Sequence, residues 1–185
     1  KTVLDLDNEF LHHGIPQRRL HATIAQQEWT SAAAIETDLD PARVLLDLLA
    51  HPNIASKAPV IRIYDHEVQG GTAVKPLTGA QDDGPSDAAV IRPLGAVGRA
   101  GVAIGNGVNP EYGKLDAYAM ALSVIDEAIR NVVAVGADPS RVAILDNFCW
   151  GDPRRPSTLG ELVEAARGCY DGALRFGAPL SLIHI

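Results

Sequence analysis

The segment from Asn109 to Pro153, NPEYGKLDAYAMALSVIDEAIRNVVAVGADPSRVAILDNFCWGDP, constrains the fold more than any other part of the chain. A Gly/Asn/Pro loop leads into a long helix expected from about Asp116 to Val135. Gly136 stands where a helix end needs a left-handed residue. Asp138-Pro139 reads as a turn, and Val142–Leu145 as a fully apolar strand of the kind buried in covered sheets. Asp146-Asn147 then turns the chain. A long amphipathic helix that hands over so quickly to a buried strand calls for helices layered on a sheet.

The rest of the chain extends this pattern. Val3–Leu6 is strand-like, and His12, His13, Gly14 and Pro16 break it. Neighbouring histidines seldom converge on one ion, so His12 and His13 read as a solvated turn. Residues 17–36 are polar and Ala-rich without a persistent period, which suits a linker or a weak helix. Asp40-Pro41 puts an N-cap ahead of a first-turn proline. Val44, Leu45, Leu48 and Leu49 follow at helical spacing, up to His51-Pro52-Asn53. PVIRIY at 59–64 alternates as a strand. Thr72–Val74, Asp87–Ile91 and the VAIG run at 102–105 are further strands, the last two joined by a hairpin-like GAVGRAG connection. Gly151–Pro156 is a Pro-rich hinge, and Thr158 with Glu161 forms a capping box for a helix that ends at Gly177. Helices alternate with strands, yet hairpins also occur. The expected class is therefore mixed α/β, a sheet covered by helices rather than a pure doubly wound fold. Lys1 in place of an initiating Met, and a strand that opens near Leu180 without a sequel, read as an internal fragment.

Within the long helix, Asp116, Met120, Ser123, Glu127 and Asn131 recur every three or four residues and share one face. Glu127 and Asn131 are one turn apart and can aim oxygens at one spot. A purely structural helix has little use for them in so apolar a run. Mg²⁺ takes oxygen ligands and usually keeps water and phosphate oxygens as well. Asp87, at the head of its strand, is a third candidate ligand. Asp146 closes a strand, where sites form in sheets of this class, and is a candidate for nucleotide or metal contact. Each residue alone has a plainer reading: a solvated helix face for Glu127 and Asn131, an Asx turn for Asp146-Asn147, a strand cap for Asp87. Only the combination points to a site. Asp126 and Arg130, four apart, read as an ordinary surface ion pair. Lys75 could reach a phosphate, although most exposed lysines do nothing specific. The chain carries no GxxxxGK[ST], HExxH or GxSxG pattern, and Gly105-Asn106-Gly107 alone is a weak signal.

Composition narrows the partners. A net charge of −7 argues against a broad nucleic-acid or anionic-membrane surface. Aromatic residues at 5% leave little for stacking single strands. Cys149 and Cys169 belong to no CxxC or Cys/His cluster and read as core-filling thiols. No apolar run reaches the roughly 18 residues of a membrane span, and there is no signal-peptide pattern. The expected setting is cytoplasmic, with neither nucleic acid nor membrane as partner.

Four strings now matter together: DHEVQGGTAVKPL, DGPSDAAVIRP, NGVNPEYGKLDAYAMALSVIDEAIRNVVAVGADP and LDNFCWGDP. They resemble the synthetase subunit of the phosphoribosylformylglycinamidine synthase family, over about residues 38–180. That subunit is built from two AIR-synthase-like halves. The resemblance implies three parts: residues 1–40 as the tail of a preceding domain and a linker, 41–150 as the N-terminal domain of the second half, whose mixed sheet would join a central β-barrel, and 151–185 as the start of an α/β C-terminal domain. It implies a ligase of de novo purine biosynthesis. Formylglycinamide ribonucleotide, ATP and glutamine-derived ammonia would give formylglycinamidine ribonucleotide, with a glutaminase subunit or domain as the ammonia source. Asp87, Glu127 and Asn131 match family positions that hold Mg²⁺ at a nucleotide, ATP or an ADP at an auxiliary site. Asp146 matches a nucleotide-binding position, and Ser86 and Lys75 are further nucleotide contacts. No catalytic residue is assigned, because the family's catalytic histidine lies in the other half. The chain departs from the family after Leu180: Ser181-Leu182-Ile183-His184-Ile185 replaces a Ser-Gly loop that contacts nucleotide and substrate, so the fragment alone is expected to have no turnover. Two other readings are a nucleotide-holding half without turnover, and a different AIR-synthase-like Mg-ATP enzyme of the selenophosphate or thiamine-phosphate kinase type.

Overall fold

The central element is the helix that begins after Asp116. Its carboxylate accepts the Ala119 N–H at 2.9 Å, which caps an 18-residue helix, Ala117–Ala134. At the other end Gly136 adopts φ +96°. The Ala137 and Gly136 N–H groups return to the carbonyls of Val132 and Val133, a Schellman closure. Both boundaries were legible in the sequence. A computed structural model of the chain describes residues 1–14, 18–25, 34, 38–63, 67 and 69–181.

In chain order the elements are α1 (Asn8–His13), α2 (Pro41–Ala50), α3 (Ala58–Ile61), β1 (Thr72–Val74), β2 (Leu77–Thr78), β3 (Gly84–Pro85), β4 (Ala89–Ile91), β5 (Val102–Ile104), α4 (Pro110–Gly113), α5 (Ala117–Ala134), a 3₁₀ turn (Pro139–Arg141), β6 (Ile144–Leu145), α6 (Pro156–Phe176) and β7 (Leu180–Ser181). The fold is mixed α/β, as expected. Antiparallel and parallel pairing fall in separate small sheets. One is antiparallel in the order β1-β4-β5, with Val74 opposite Val90 and Ala89 opposite Ile104. β2 and β3 form a hairpin, and β6 pairs in parallel with β7 across the helical crossover α6.

α5 and α6 pack through glycines. A Cβ on Gly168 would stand 2.5 Å from the Tyr118 carbonyl oxygen, and one on Gly172 would meet Ile125 Cδ1 at 2.8 Å. The contacts advance together along both helices, so the two run in the same direction. Ala121, Ile125 and Ala165 are buried. Tyr118 spans the two helices: its hydroxyl donates to Asp171 at 2.9 Å, and the Arg167 guanidinium stacks 4.2 Å from its ring centroid. The bond to Asp171 holds the Tyr118 phenol above its ordinary pKa. The Thr23 N–H donates to the Pro156 carbonyl at 2.8 Å, which sets the segment around Thr23 against the first turn of α6.

Several expectations are corrected. Residues 59–61 belong to α3, not to a strand, because Pro59 in a first turn presets helical φ; Tyr64 lies outside the described residues. Val3–Leu6 is not a strand. Asp7 instead caps α1 through the Glu9 N–H, and His12 and His13 form its last turn. The Thr158/Glu161 capping box is not used. α6 starts earlier, at Pro156, without a side-chain cap, and the Thr158 carbonyl instead accepts Trp150 Nε1–H at 3.1 Å. The strand expected at Val142–Leu145 shrinks to two residues, and Leu145 is 69% exposed rather than buried. α2 forms as its period predicts, capped by Asp40, but Leu45, Leu46, Leu48 and Leu49 are each at least half exposed. Of residues 17–36, only 18–25 and 34 are described, without regular structure, and residues 182–185 lie outside the description. The expected boundary at Gly151–Pro156 falls between β6 and α6, and α6 packs along α5.

The two glycines of the helix seam should respond differently to alanine. At Gly168 the obstacle is backbone, so Gly168→Ala should destabilise by about 1–3 kcal/mol, more than the roughly 1 kcal/mol of helix propensity gained. At Gly172 the obstacle is a flexible side-chain tip, so Gly172→Ala should be close to neutral. Chemical denaturation of both variants checks this, and equal losses would contradict the packing direction.

Candidate functional site

Antiparallel pairing brings the end of β1, the start of β4 and the end of β5 to one end of the three-stranded sheet. Lys75 directly follows β1, Ser86 and Asp87 precede β4, and Gly105 directly follows β5. Lys75, Ser86 and Asp87 therefore lie at this end of the sheet, and Glu127 and Asn131 lie on α5. The loop leaving β5 carries the junction. A Cβ at Gly105 would lie 2.9 Å from Val132 Cγ1 and 3.2 Å from Asn131 Cβ, and one at Gly107 only 1.9 Å from the Val124 carbonyl oxygen. The loop thus lies directly on the backbone of α5.

Glu127 and Asn131 hold it there. Glu127 Oε2 accepts the Val108 N–H at 3.0 Å, and Asn131 Nδ2 donates to the Asn106 carbonyl at 2.8 Å. This corrects the expectation that a structural helix has no use for the pair. Each group keeps one oxygen outside these bonds, Oε1 of Glu127 and Oδ1 of Asn131. Downstream, Asn109 Oδ1 accepts the Tyr112 N–H at 3.1 Å and caps α4. Sequence reasoning missed the loop's own contribution, the Val108 amide and the Asn106 carbonyl. The Gly-Asn-Gly triplet was the signal, since glycine permits close backbone approach.

Lys75 is already engaged. Its ammonium lies 3.3 Å from Glu67 Oε1 and 3.6 Å from Asp82 Oδ2, and the hydrogen bond it donates to Glu67 keeps it above the ordinary lysine pKa. The Ser86 hydroxyl donates to the Ala88 carbonyl at 2.9 Å, and its amide to the Pro76 carbonyl at 3.1 Å. Asp87 is exposed. Lys75 is thus offset by two carboxylates, and the Arg62 guanidinium donates to the Asp82 carbonyl at 2.8 Å beside them. Among the described residues, no three His, Cys, Asp or Glu side chains are placed to share an ion. Two carboxylates with one amide still suit Mg²⁺, which leaves much of its shell to water and phosphate.

Asp146 stands at the end of β6. Its N–H donates to the Ser181 carbonyl at 3.3 Å, and its Oδ1 is buried without a hydrogen-bond partner among the described residues. Cys169 lies within its field: burial raises the thiol pKa, and the Asp146 charge adds to the rise. Cys149 is exposed. A shallow cleft lined by Gly71, Thr72, Arg92, Pro93 and Leu94 opens at the opposite end of β1 and β4, away from these groups. The Asp126–Arg130 pair forms on the surface as expected, at 2.6 Å. No helix among the described residues is long and apolar enough to cross a membrane.

The placement of Asp146 can be read from Cys169. In a Cys149→Ser background, Asp146→Asn should move the pH profile of Cys169 alkylation downward, because a negative charge that opposes the thiolate is removed while the burial remains. An unmoved profile would separate the two side chains.

Comparison with known proteins now bears on these residues. The AIR synthase related protein, N-terminal domain family matches residues 85–182, a span that holds Ser86, Asp87, Glu127, Asn131 and Asp146. The phosphoribosylformylglycinamidine synthase subunit PurL of Deinococcus radiodurans is 40% identical over 156 residues, 80% of this chain and 19% of that protein. The PurL subunit of Methanocaldococcus jannaschii is 42% identical over 137 residues, 74% of this chain and 17% of that protein. That of Anaeromyxobacter dehalogenans is 35% identical over 186 residues, 97% of this chain and 23% of that protein. The chain thus spans about a fifth of the length of the curated relatives it matches. A family match across more than half of the residues, with such relatives from bacteria and archaea, establishes that the chain belongs to the AIR synthase related family, alongside the phosphoribosylformylglycinamidine synthase subunits.

Proposed function

We infer that this chain is part of an ATP-dependent, amidine-forming ligase of purine biosynthesis, in which it supplies a Mg²⁺–nucleotide site. The reaction joins glutamine-derived ammonia to formylglycinamide ribonucleotide and yields formylglycinamidine ribonucleotide. ATP phosphorylates the amide oxygen, and ammonia then displaces phosphate. The reading rests on the relatives, which carry that synthase's name at 35–42% identity. The observation that supports the site is that Glu127 and Asn131 both bond the loop leaving β5, beside the strand that Asp87 precedes, while Lys75 is paired with Glu67 and Asp82. Asp87, Glu127 and Asn131 would hold Mg²⁺, and the ion would neutralise phosphate charge. Lys75 and Ser86 lie at the same end and would contact the nucleotide once Lys75 leaves Glu67. Asp146, whose buried oxygen has no hydrogen-bond partner among the described residues, would contact the nucleotide from the β6 end. Ammonia would come from a glutaminase subunit or domain, in a cytoplasmic setting.

The test is nucleotide retention by the intact protein, measured by calorimetry with ADP and Mg²⁺. Asp87→Asn and Glu127→Ala should each weaken Mg²⁺-dependent binding by about tenfold or more, consistent with the 1.5–3 kcal/mol of an interaction to a charged group. Binding that stays unchanged in both variants would remove the metal role from these residues.

A further inference from the structure

The proposed metal ligands are tied to the loop beside them, and the tie has a direction. Glu127 uses Oε2 to accept the Val108 N–H, and Asn131 uses Nδ2 to donate to the Asn106 carbonyl. An amide group has one oxygen and one nitrogen, so committing Nδ2 decides which way the Asn131 side chain faces and leaves Oδ1 as its remaining acceptor. A carboxylate has two oxygens, so committing Oε2 leaves Oε1. The loop contacts therefore settle the orientation of both side chains and expose one oxygen from each. The close approach is possible only because Gly107 has no side chain: its Cβ would fall 1.9 Å from the Val124 carbonyl oxygen and 3.1 Å from the Ala128 nitrogen.

We propose that the 105–108 loop is a strap that pre-orients Glu127 and Asn131 for a divalent cation, with Gly107 as its positioning residue. This rests on the Mg²⁺–nucleotide reading above and adds a cause for the ligand geometry. Gly107 has no side chain with which to ligate an ion. It sets the distance between strap and helix, and that distance lets the Val108 amide and the Asn106 carbonyl reach their partners. Outer partners that aim metal ligands typically govern 10–100-fold in affinity. They do so by fixing rotamers before the ion arrives.

The strap and the ligand set can be separated by substitution. In Glu127→Gln the amide oxygen can still accept the Val108 N–H, and the group left to face a cation is then NH₂, which cannot ligate. In Gly107→Ala every ligand is retained and only the strap is displaced. The experiment uses the intact protein and two readouts: amide hydrogen exchange at Val108, and calorimetric binding of Mg²⁺ with ADP. Glu127→Gln should keep Val108 protected while Mg²⁺-dependent binding falls about tenfold or more. Glu127→Ala should lose both. Gly107→Ala should lose Val108 protection and weaken Mg²⁺-dependent binding about 10–100-fold, with every ligand still present. Wild-type Mg²⁺ affinity in Gly107→Ala despite a loosened Val108 would overturn the strap and leave the metal reading standing. A wild-type Val108 amide that exchanges as fast as an open loop would overturn it as well, and needs no variant to fold. Absence of Mg²⁺-dependent ADP binding in the wild-type protein would remove the metal reading and the strap's purpose with it.

Discussion

The approach of Gly107 to the backbone of α5 is the contact on which the arrangement depends. A loop can lie on a helix at that distance only where no Cβ intervenes. Once it lies there, the Val108 amide and the Asn106 carbonyl come within reach of the facing turns of α5, where Glu127 and Asn131 bond them at the exposed edge of the contact. The same bonds join the three-stranded sheet to α5. The glycine seam then joins α5 to α6, and α6 carries the chain to β7 beside β6.

The charge pattern follows from this geometry. The sheet end gathers Asp87 near the strap, while Lys75 is occupied by Glu67 and Asp82. Such an end would hold a phosphate through a cation, as the Mg²⁺–nucleotide reading proposes. The chain's charge of −7 and its membership of a family with synthase relatives are compatible with that chemistry, whereas a direct nucleic-acid surface would need the opposite sign. Asp146 follows β6. It is tied to β7 through the Ser181 carbonyl and lies close enough to Cys169 to act on its thiol.

The elements legible in the chain were those specified by local chemistry. Asp116, Gly136, Asp40-Pro41 and Gly177 act through their own backbone and near neighbours, so the limits of α5, the start of α2 and the end of α6 could be read directly. The i,i+4 pair Asp126–Arg130 was equally local. Errors arose where a short pattern had two uses. PVIRIY alternates like a strand, yet Pro59 favours a helical turn, and the turn prevails at 59–61. Thr158 and Glu161 have capping-box spacing, but Pro156 had already started the helix, so Thr158 lies inside the first turn. Val142–Leu145 is apolar throughout, but apolarity does not say how many neighbours a strand finds, and only Ile144 and Leu145 pair.

Residue type and spacing alone determined that Glu127 and Asn131 share a helix face and that Asp146 follows a strand, because side-chain direction follows backbone period; the strand expected to open on Asp87 starts instead at Ala89, with Asp87 in the bend before it. Family membership was legible too, since it resides in long ordered strings. Only the tertiary structure decided that Lys75, Ser86 and Asp87 sit at the same sheet end as the loop bound by Glu127 and Asn131, and that Lys75 is already paired. Those facts depend on strand register and on one backbone crossing at Gly107, which are long-range constraints with no local period to announce them.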